Sequence, residues 1–150
     1  MPVIEDIQLS SAARIIVWEI KETIDFLKSK LDLTDFSKKI LLKKKSAIHQ
    51  KQFLTVRNIL KLLSIHDSDL NYDVDGKPFI KSGYISISHA KEFVAVLISD
   101  EKVGVDIESN SDKCFRIKQK FIGTENEFTQ DYYVNYFINK NYSLAYIIDK

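Results

Sequence analysis

Cysteine, glycine and proline are scarce in this chain of 150 residues, and it has no long apolar run. A single cysteine, Cys114, allows no disulfide within the chain. With only four glycines, two prolines and no low-complexity stretch, the composition is not that of a disordered or fibrous protein. No apolar run is long enough for a transmembrane helix, and no N-terminal signal pattern is present. We therefore expect a folded protein in a reducing, cytoplasmic location, without a membrane partner.

An excess of charge of either sign is also absent. The 22 Lys and Arg residues nearly balance the 21 Asp and Glu residues, which gives a net charge of +1. Such a chain has no overall attraction to nucleic acid, so we expect no nucleic-acid partner, although lysines cluster at residues 43–45. Hydrophobic residues make up 45% of the chain, and its length is ordinary for one domain with a real core.

The spacing of apolar residues predicts the elements of the first half of the chain. Residues 14–20 are rich in β-branched side chains and are interpreted as a buried strand, with a helix as the alternative. Over residues 21–31 and 46–63 the apolar positions recur at spacings of three and four, which predicts two amphipathic helices.

The middle of the chain changes to a period of two. Asp75-Gly76 is a turn dipeptide, and residues 84–88, 93–99 and 103–108 are typical of short strands. Short connections favour antiparallel pairing, with the two preceding helices packed on one face, so the predicted class is α+β. After Ser109 a helix is predicted through residues 115–121, and helix is predicted again for most of the aromatic-rich residues 132–148.

The strand over residues 103–108 carries paired carboxylates. Alternation sends its apolar residues to one face and Gly104, Asp106 and Glu108 to the other. Residues two apart on a strand are roughly 6–7 Å apart, so both carboxylates can reach one hard cation or its water shell. We expect Gly104 to leave room for a ligand. A solvated acidic face on an edge strand is the alternative that alternation leaves open.

Cationic residues on neighbouring elements suggest an anionic ligand. Arg57 is one of only three arginines and shares a predicted helix face with Phe53, so it needs an anionic partner, either an internal carboxylate or a phosphate. Lys77 follows a turn glycine, and His89 follows Ser88 at the end of a predicted strand. A solvated lysine and a surface histidine are the structural alternatives.

Taken in order, these residues resemble the 4'-phosphopantetheinyl transferase superfamily, in particular its two-lobed type named after the surfactin-synthetase activator. The resemblance covers roughly residues 43–127 and rests on five segments: QFLTVR at 52–57, GKP at 76–78, ISISH at 85–89, VGVDIE at 103–108 and KFI at 120–122. It implies an α+β fold in which an antiparallel sheet packs with helices. The chain would form one domain over residues 1–150, with a complete first lobe at about 1–100 and an incomplete second lobe at about 101–150.

The resemblance also implies a reaction and its residues. Members of this superfamily transfer the phosphopantetheine arm of coenzyme A to a serine of an acyl or peptidyl carrier protein, with Mg²⁺. By position, Asp106 and Glu108 are similar to the metal-binding carboxylates, and with His89 they form the catalytic set. The residues similar to those that bind the coenzyme are Arg57, Lys77, Ser88 and His89. The basic run over residues 43–51 matches the 3'-phosphate-binding residues of the family only loosely.

One family feature has no counterpart in this sequence. The family's later helix carries a Trp-x-x-Lys-Glu-Ala pattern, whereas the only tryptophan here is Trp18. The resemblance therefore implies a C-terminally truncated relative whose activity is open. The alternatives are an inactive relative that binds coenzyme A or a carrier protein, a fold remnant, or an unrelated α+β domain. An apolar face left by the incomplete lobe would be covered by the aromatic tail or by a second copy of the chain.

Overall fold

A computed structural model describes residues 3–109 and 141–149, and the main chain of residues 132–138. The chain order of its elements is β1 (Val3–Gln8), β2 (Arg14–Glu19), α1 (Ile24–Ser29), α2 (Asp35–Lys43), α3 (Ala47–Leu62), a 3-10 turn (Asp67–Asp69), β3 (Asn71–Tyr72), β4 (Pro78–Phe79), β5 (Tyr84–Ala90), β6 (Phe93–Ser99), β7 (Val103–Glu108), β8 (Tyr132–Ile138) and β9 (Ser143–Asp149).

The first sheet has four antiparallel strands in the order β1-β2-β6-β5. Its central strands are apolar on both faces, since β2 reads RIIVWE and β6 reads FVAVLIS, and their inner residues are buried. The three helices cover one face, where Phe53, Val56 and Leu60 of α3 meet Val94 and Val96 of β6 in a common core. Successive side chains of β6 therefore alternate between the two faces. Val94 and Val96 face the helices, and Phe93, Ala95 and Leu97 face the other side.

The second sheet has three antiparallel strands in the order β7-β9-β8 and covers that other face. Ile107 and Leu144 form a second core with Ile15 and Leu97 of the first sheet. The rings of Phe93 and Tyr142 lie with their centroids 5.3 Å apart. The described part of the chain is therefore a three-layer arrangement of helices, four-stranded sheet and three-stranded sheet.

The helices α1, α2 and α3 begin in the same way. The hydroxyls of Thr23, Thr34 and Ser46 accept hydrogen bonds from the main-chain N–H three residues later, which satisfies one of the free donors at each helix start. The helix α3 ends with paired hydrogen bonds, from Ser64 N–H to Lys61 O and from Ile65 N–H to Leu60 O. Ser64 lies at φ 60°, the left-handed conformation that this helix ending requires.

The predicted α+β class and antiparallel pairing are confirmed. The strands expected at 14–20, 84–88, 93–99 and 103–108 are β2, β5, β6 and β7, and the helix expected at 46–63 is α3. The helix expected at 21–31 forms only as α1, and the sequence reasoning missed β1 and α2. The helix expected over 115–121 lies outside the described residues. Within the described ranges, no helix is long and apolar enough to cross a membrane.

The prediction of helix for most of residues 132–148 is wrong, because β8 and β9 occupy this segment. Tyr, Phe, Val and Ile dominate it, and these residues favour a pleated, half-buried surface. Alternation places Tyr142, Leu144 and Tyr146 on the face that packs against the first sheet. Strand β9 of the tail therefore helps to cover the second face of the first sheet, and coverage of a face left by an incomplete lobe stays a prediction.

Candidate functional site

A cavity of about 420 Å³ lies between α3, the end of β5 and the turn at Gly76 and Pro78. Its polar lining comes from Lys44, His49, Gln52, Arg57, Tyr72 and His89. Gln52 is buried, and its Nε2 donates to the carbonyl of Lys91 at 2.7 Å. Its Oε1 has no hydrogen-bond partner among the described residues. The positive charges of Lys44 and Arg57 suit an anionic ligand, and the unpaired acceptor of Gln52 suits a ligand that also carries a hydrogen-bond donor.

Arg57 is held firmly inside the protein. Its Nε lies 3.3 Å from Asp67 Oδ1, its Nη2 donates to the hydroxyl of Tyr72 at 3.1 Å, and its guanidinium carbon lies 3.7 Å from the centre of the Phe53 ring. Asp67 also accepts hydrogen bonds from Ser37 Oγ and from the main-chain N–H of Thr34, both at 2.9 Å. The structure thus gives Arg57 the internal carboxylate that was one of its two expected partners, and a phosphate contact stays a prediction.

His89 lies at the solvent-exposed rim of the same cavity. Partial burial against the cavity wall, followed by the positive charges of His49 and Lys44, lowers the pKa of His89 below its ordinary value. The neutral imidazole is therefore the main form at neutral pH. A bound anion would offset the repulsion from the neighbouring cations and favour the protonated form.

Lys77 lies apart from this cavity, although Gly76 and Pro78 line it. The side chain of Lys77 is exposed and borders a second cavity of about 300 Å³ with Lys102. Its main-chain N–H donates to Asp73 Oδ1 at 2.9 Å and helps to close the turn. The turn also uses Gly76 at φ 79°, a conformation that favours glycine.

Strand β7 lies beside β5, runs in the same direction, and is joined to it through two serine hydroxyls. The main-chain N–H of Val105 donates to Ser86 Oγ at 3.0 Å, and that of Ile107 donates to Ser88 Oγ at 3.1 Å. Ser88 Oγ in turn donates to Asp106 Oδ1 at 3.3 Å. One predicted coenzyme-binding residue is therefore in direct contact with one predicted metal-binding carboxylate.

Asp106 and Glu108 lie on the same face of β7 and are both half-buried. A Cβ at Gly104 would lie 3.0 Å from Ile147 Cγ2 of the neighbouring strand, so the side chain of Ile147 approaches this glycine closely, and room for a ligand there stays a prediction. Within the described residues no group of three or more His, Cys, Asp and Glu is arranged around a metal position. Two carboxylates nevertheless fit Mg²⁺, which commonly binds one or two carboxylates and completes its shell with water and substrate phosphates.

The predicted site residues fall into three places. Arg57 and His89 meet at the cavity, Ser88 and Asp106 meet at the contact between β5 and β7 with Glu108 nearby, and Lys77 lies at neither. Because the side chains of neighbouring residues on a strand point to opposite faces, those of Ser88 and His89 lie on different sides of β5.

The sequence reasoning missed His49, Gln52 and Tyr72 as lining residues of the cavity. The spacing of four residues between His49 and Phe53, and again between Phe53 and Arg57, was a usable signal for His49, because such residues share a helix face.

The chain was also compared with known proteins. No protein-family model matches it, and the comparison with curated proteins finds no match either.

Proposed function

We propose that this chain is a 4'-phosphopantetheinyl transferase-like protein that binds coenzyme A with Mg²⁺ and transfers its phosphopantetheine arm to a serine of an acyl or peptidyl carrier protein. The observation that carries the proposal is the pairing of opposite charges across one strand. A cation-lined cavity lies on the helical side of β5, and the carboxylates of β7 lie on its other side. The finer features of the family's fold, with a first lobe at about 1–100, belong to the same proposal.

The cavity suits the anionic end of the coenzyme. Coenzyme A carries a pyrophosphate and a 3'-phosphate, and cationic groups in a partly desolvated site bind phosphate oxygens strongly. Lys44 supplies such a group at the cavity, and the imidazoles of His49 and His89 can donate hydrogen bonds to phosphate oxygens. Arg57 contributes a positive charge that its ion pair with Asp67 already holds in place.

The transfer itself balances as a substitution at phosphorus. The oxygen of the carrier serine forms a bond to the phosphorus on the pantetheine side of the pyrophosphate, while the bond from that phosphorus to the bridging oxygen breaks. Adenosine 3',5'-bisphosphate leaves with the bridging oxygen, and the serine releases its proton to solvent. Magnesium bound at Asp106 and Glu108 would neutralise charge on the pyrophosphate.

A non-catalytic coenzyme A-binding relative is the second candidate. The sequence favours it at one point, because residues 109–150 contain no Trp-x-x-Lys-Glu-Ala pattern. This candidate keeps the cavity and its cations but transfers nothing. Binding and transfer must therefore be measured separately.

Isothermal titration of coenzyme A, with and without Mg²⁺, tests the binding step. We expect binding that Mg²⁺ strengthens, and we expect Asp106→Asn and Glu108→Gln to remove the Mg²⁺ effect because neutral amides are poor ligands for a hard cation. Asp75→Asn is the matched control, since Asp75 is an exposed carboxylate in the turn before β4. Failure of the native chain to bind coenzyme A in either condition would end the proposal.

Mass spectrometry of an apo-acyl carrier protein incubated with the chain, coenzyme A and Mg²⁺ tests the transfer step. Addition of one phosphopantetheine supports the transferase. Binding without transfer to apo-acyl or apo-peptidyl carrier proteins would favour the non-catalytic relative.

A further inference from the structure

The hydroxyl of Ser88 has its hydrogen-bonding capacity largely occupied within the protein. A serine hydroxyl has one proton to donate and two lone pairs to accept with. In Ser88 the proton goes to Asp106 Oδ1 at 3.3 Å, and one lone pair accepts the Ile107 N–H at 3.1 Å. Phosphate oxygens are acceptors, so Ser88 could donate to a phosphate only by releasing Asp106.

We propose that Ser88 is a positioning residue, which orients the Asp106 carboxylate for a divalent cation instead of binding the coenzyme's phosphates. The Ile107 N–H fixes where the hydroxyl oxygen lies, and the hydroxyl proton then holds one oxygen of Asp106. A ligand carboxylate with a fixed orientation loses less freedom when the cation binds. This inference rests on the proposed function, because it assigns Ser88 a part in the same metal site.

Ser86 provides a matched control two residues earlier on the same strand. Its hydroxyl accepts the Val105 N–H at 3.0 Å, which is the same kind of contact to β7 that Ser88 makes. Both serines are half-buried. Ser86→Ala and Ser88→Ala therefore remove equivalent contacts between the strands, whereas only Ser88→Ala removes the hydroxyl that contacts Asp106.

The experiment is a titration of Mg²⁺ into the chain saturated with coenzyme A, with Mn²⁺ as a spectroscopic substitute followed by its free-ion EPR signal. We expect Ser88→Ala to weaken cation binding about 10-fold or more, the usual effect of losing a group that orients a metal ligand. Ser86→Ala should leave cation binding close to that of the native chain, and Ser88→Thr, which retains the hydroxyl, should restore most of the affinity. Melting temperatures of both alanine variants show whether they are equally folded.

Two outcomes would overturn the assignment. Equal cation affinities in Ser88→Ala and Ser86→Ala would mean that Ser88 only joins the strands. Weaker coenzyme A binding by Ser88→Ala in the absence of any divalent cation would mean that Ser88 contacts the coenzyme directly.

Failure of the proposed function can be told apart from failure of this inference. If the native chain binds neither Mg²⁺ nor Mn²⁺, the metal site is lost, but the ¹³C signal of the Asp106 side-chain carboxyl still reports on the contact. Ser88→Ala should shift or broaden that signal, and Ser86→Ala should not. An unchanged Asp106 signal in Ser88→Ala would reject the positioning role without reference to any metal.

Discussion

His89 lies at the rim of a cavity whose other cations oppose its protonation. Partial burial and the charges of His49 and Lys44 lower the pKa of His89, so the folded protein takes up this proton less readily than the unfolded chain does. Protonation therefore favours unfolding. The contribution of neutral His89 to the free energy of unfolding is complete above about pH 6.5, the ordinary pKa of histidine. It is lost as the pH falls through the lower pKa of His89 in the folded protein.

We expect His89→Asn to remove this part of the pH dependence. Urea unfolding at low ionic strength between pH 7.5 and 5 should show a steeper loss of stability in the native chain than in the variant, because the asparagine does not titrate. His66→Asn is the control, since it removes a histidine that lies outside the cavity and keeps His89 in place. Parallel profiles for the native chain and His89→Asn would contradict the pKa direction and its cause.

The individual side chains of the site were only partly predictable. The scarcity of arginine and its position on an apolar helix face marked Arg57 as buried, which the structure confirms. Asp67 could not be identified as its partner, because the contact depends on the turn that returns the chain from α3 to β3. The contact between Ser88 and Asp106 was equally hidden, because it depends on how the two sheets pack and not on any spacing along the chain.

At the level of elements, the C-terminal end of α3 holds a non-glycine residue, Ser64, in a strained backbone conformation that a glycine would relieve. Ser64 adopts φ 60°, where a side chain costs about 1 kcal/mol or more and glycine costs little. Ser64→Gly should therefore raise the free energy of unfolding by about 1 kcal/mol, because both terminal hydrogen bonds can remain. Urea denaturation measures the change.

The control for this substitution lies inside the same helix. Lys51→Gly should lower the stability by about 1 kcal/mol, because glycine is unfavourable at ordinary helical φ and ψ. A lower stability for Ser64→Gly would show that the serine side chain makes a contribution larger than its backbone strain.

Elements were predicted where one face is clearly apolar, and missed where it is not. The pattern of α3 is long and regular, so its bounds agree closely with the expected helix. The helix α2 spans nine residues and leaves Phe36 and Leu42 exposed, which obscures its apolar face. The strand β1 has exposed positions at every second residue, including Ile4, and lies at the sheet edge. Short elements of this kind are defined by their partners more than by their own sequence.

At the scale of the whole molecule, the two sheets share one core, which should make their unfolding cooperative. Leu144 of β9 is fully buried against the first sheet, so Leu144→Ala should destabilise the protein by about 2–5 kcal/mol. We expect the fluorescence of Trp18, which packs in the core between the helices and the first sheet, and far-UV circular dichroism to give the same lowered urea midpoint with an unchanged slope.

Val74→Ala is the control for this prediction, because Val74 is fully exposed and its truncation should change stability by less than about 0.5 kcal/mol. If Trp18 kept its native midpoint while circular dichroism showed an earlier transition, the three-stranded sheet would be unfolding on its own.

The α+β class of the fold could be predicted from the sequence, but the three-stranded sheet of β7, β9 and β8 could not. The change from a helical to a two-residue period identified an α+β chain with antiparallel strands. The aromatic tail was mistaken for helix because bulky apolar residues at most positions suit either a buried helix or a buried strand. Only the pairing of β9 with β7 shows that the tail is part of the sheet that covers the first sheet.

Ser88 and His89 face opposite sides of β5, which restricts the spacing of residues along this strand as well as their identity. Deleting or inserting one residue between Ile85 and Ser88 would exchange the two sides, so that an imidazole would face β7 and a hydroxyl would face the cavity. Point substitutions on this strand change one side at a time, whereas a change of a single codon in length exchanges both. Selection on the site would therefore act on the spacing of the ISISH segment as strongly as on its residues.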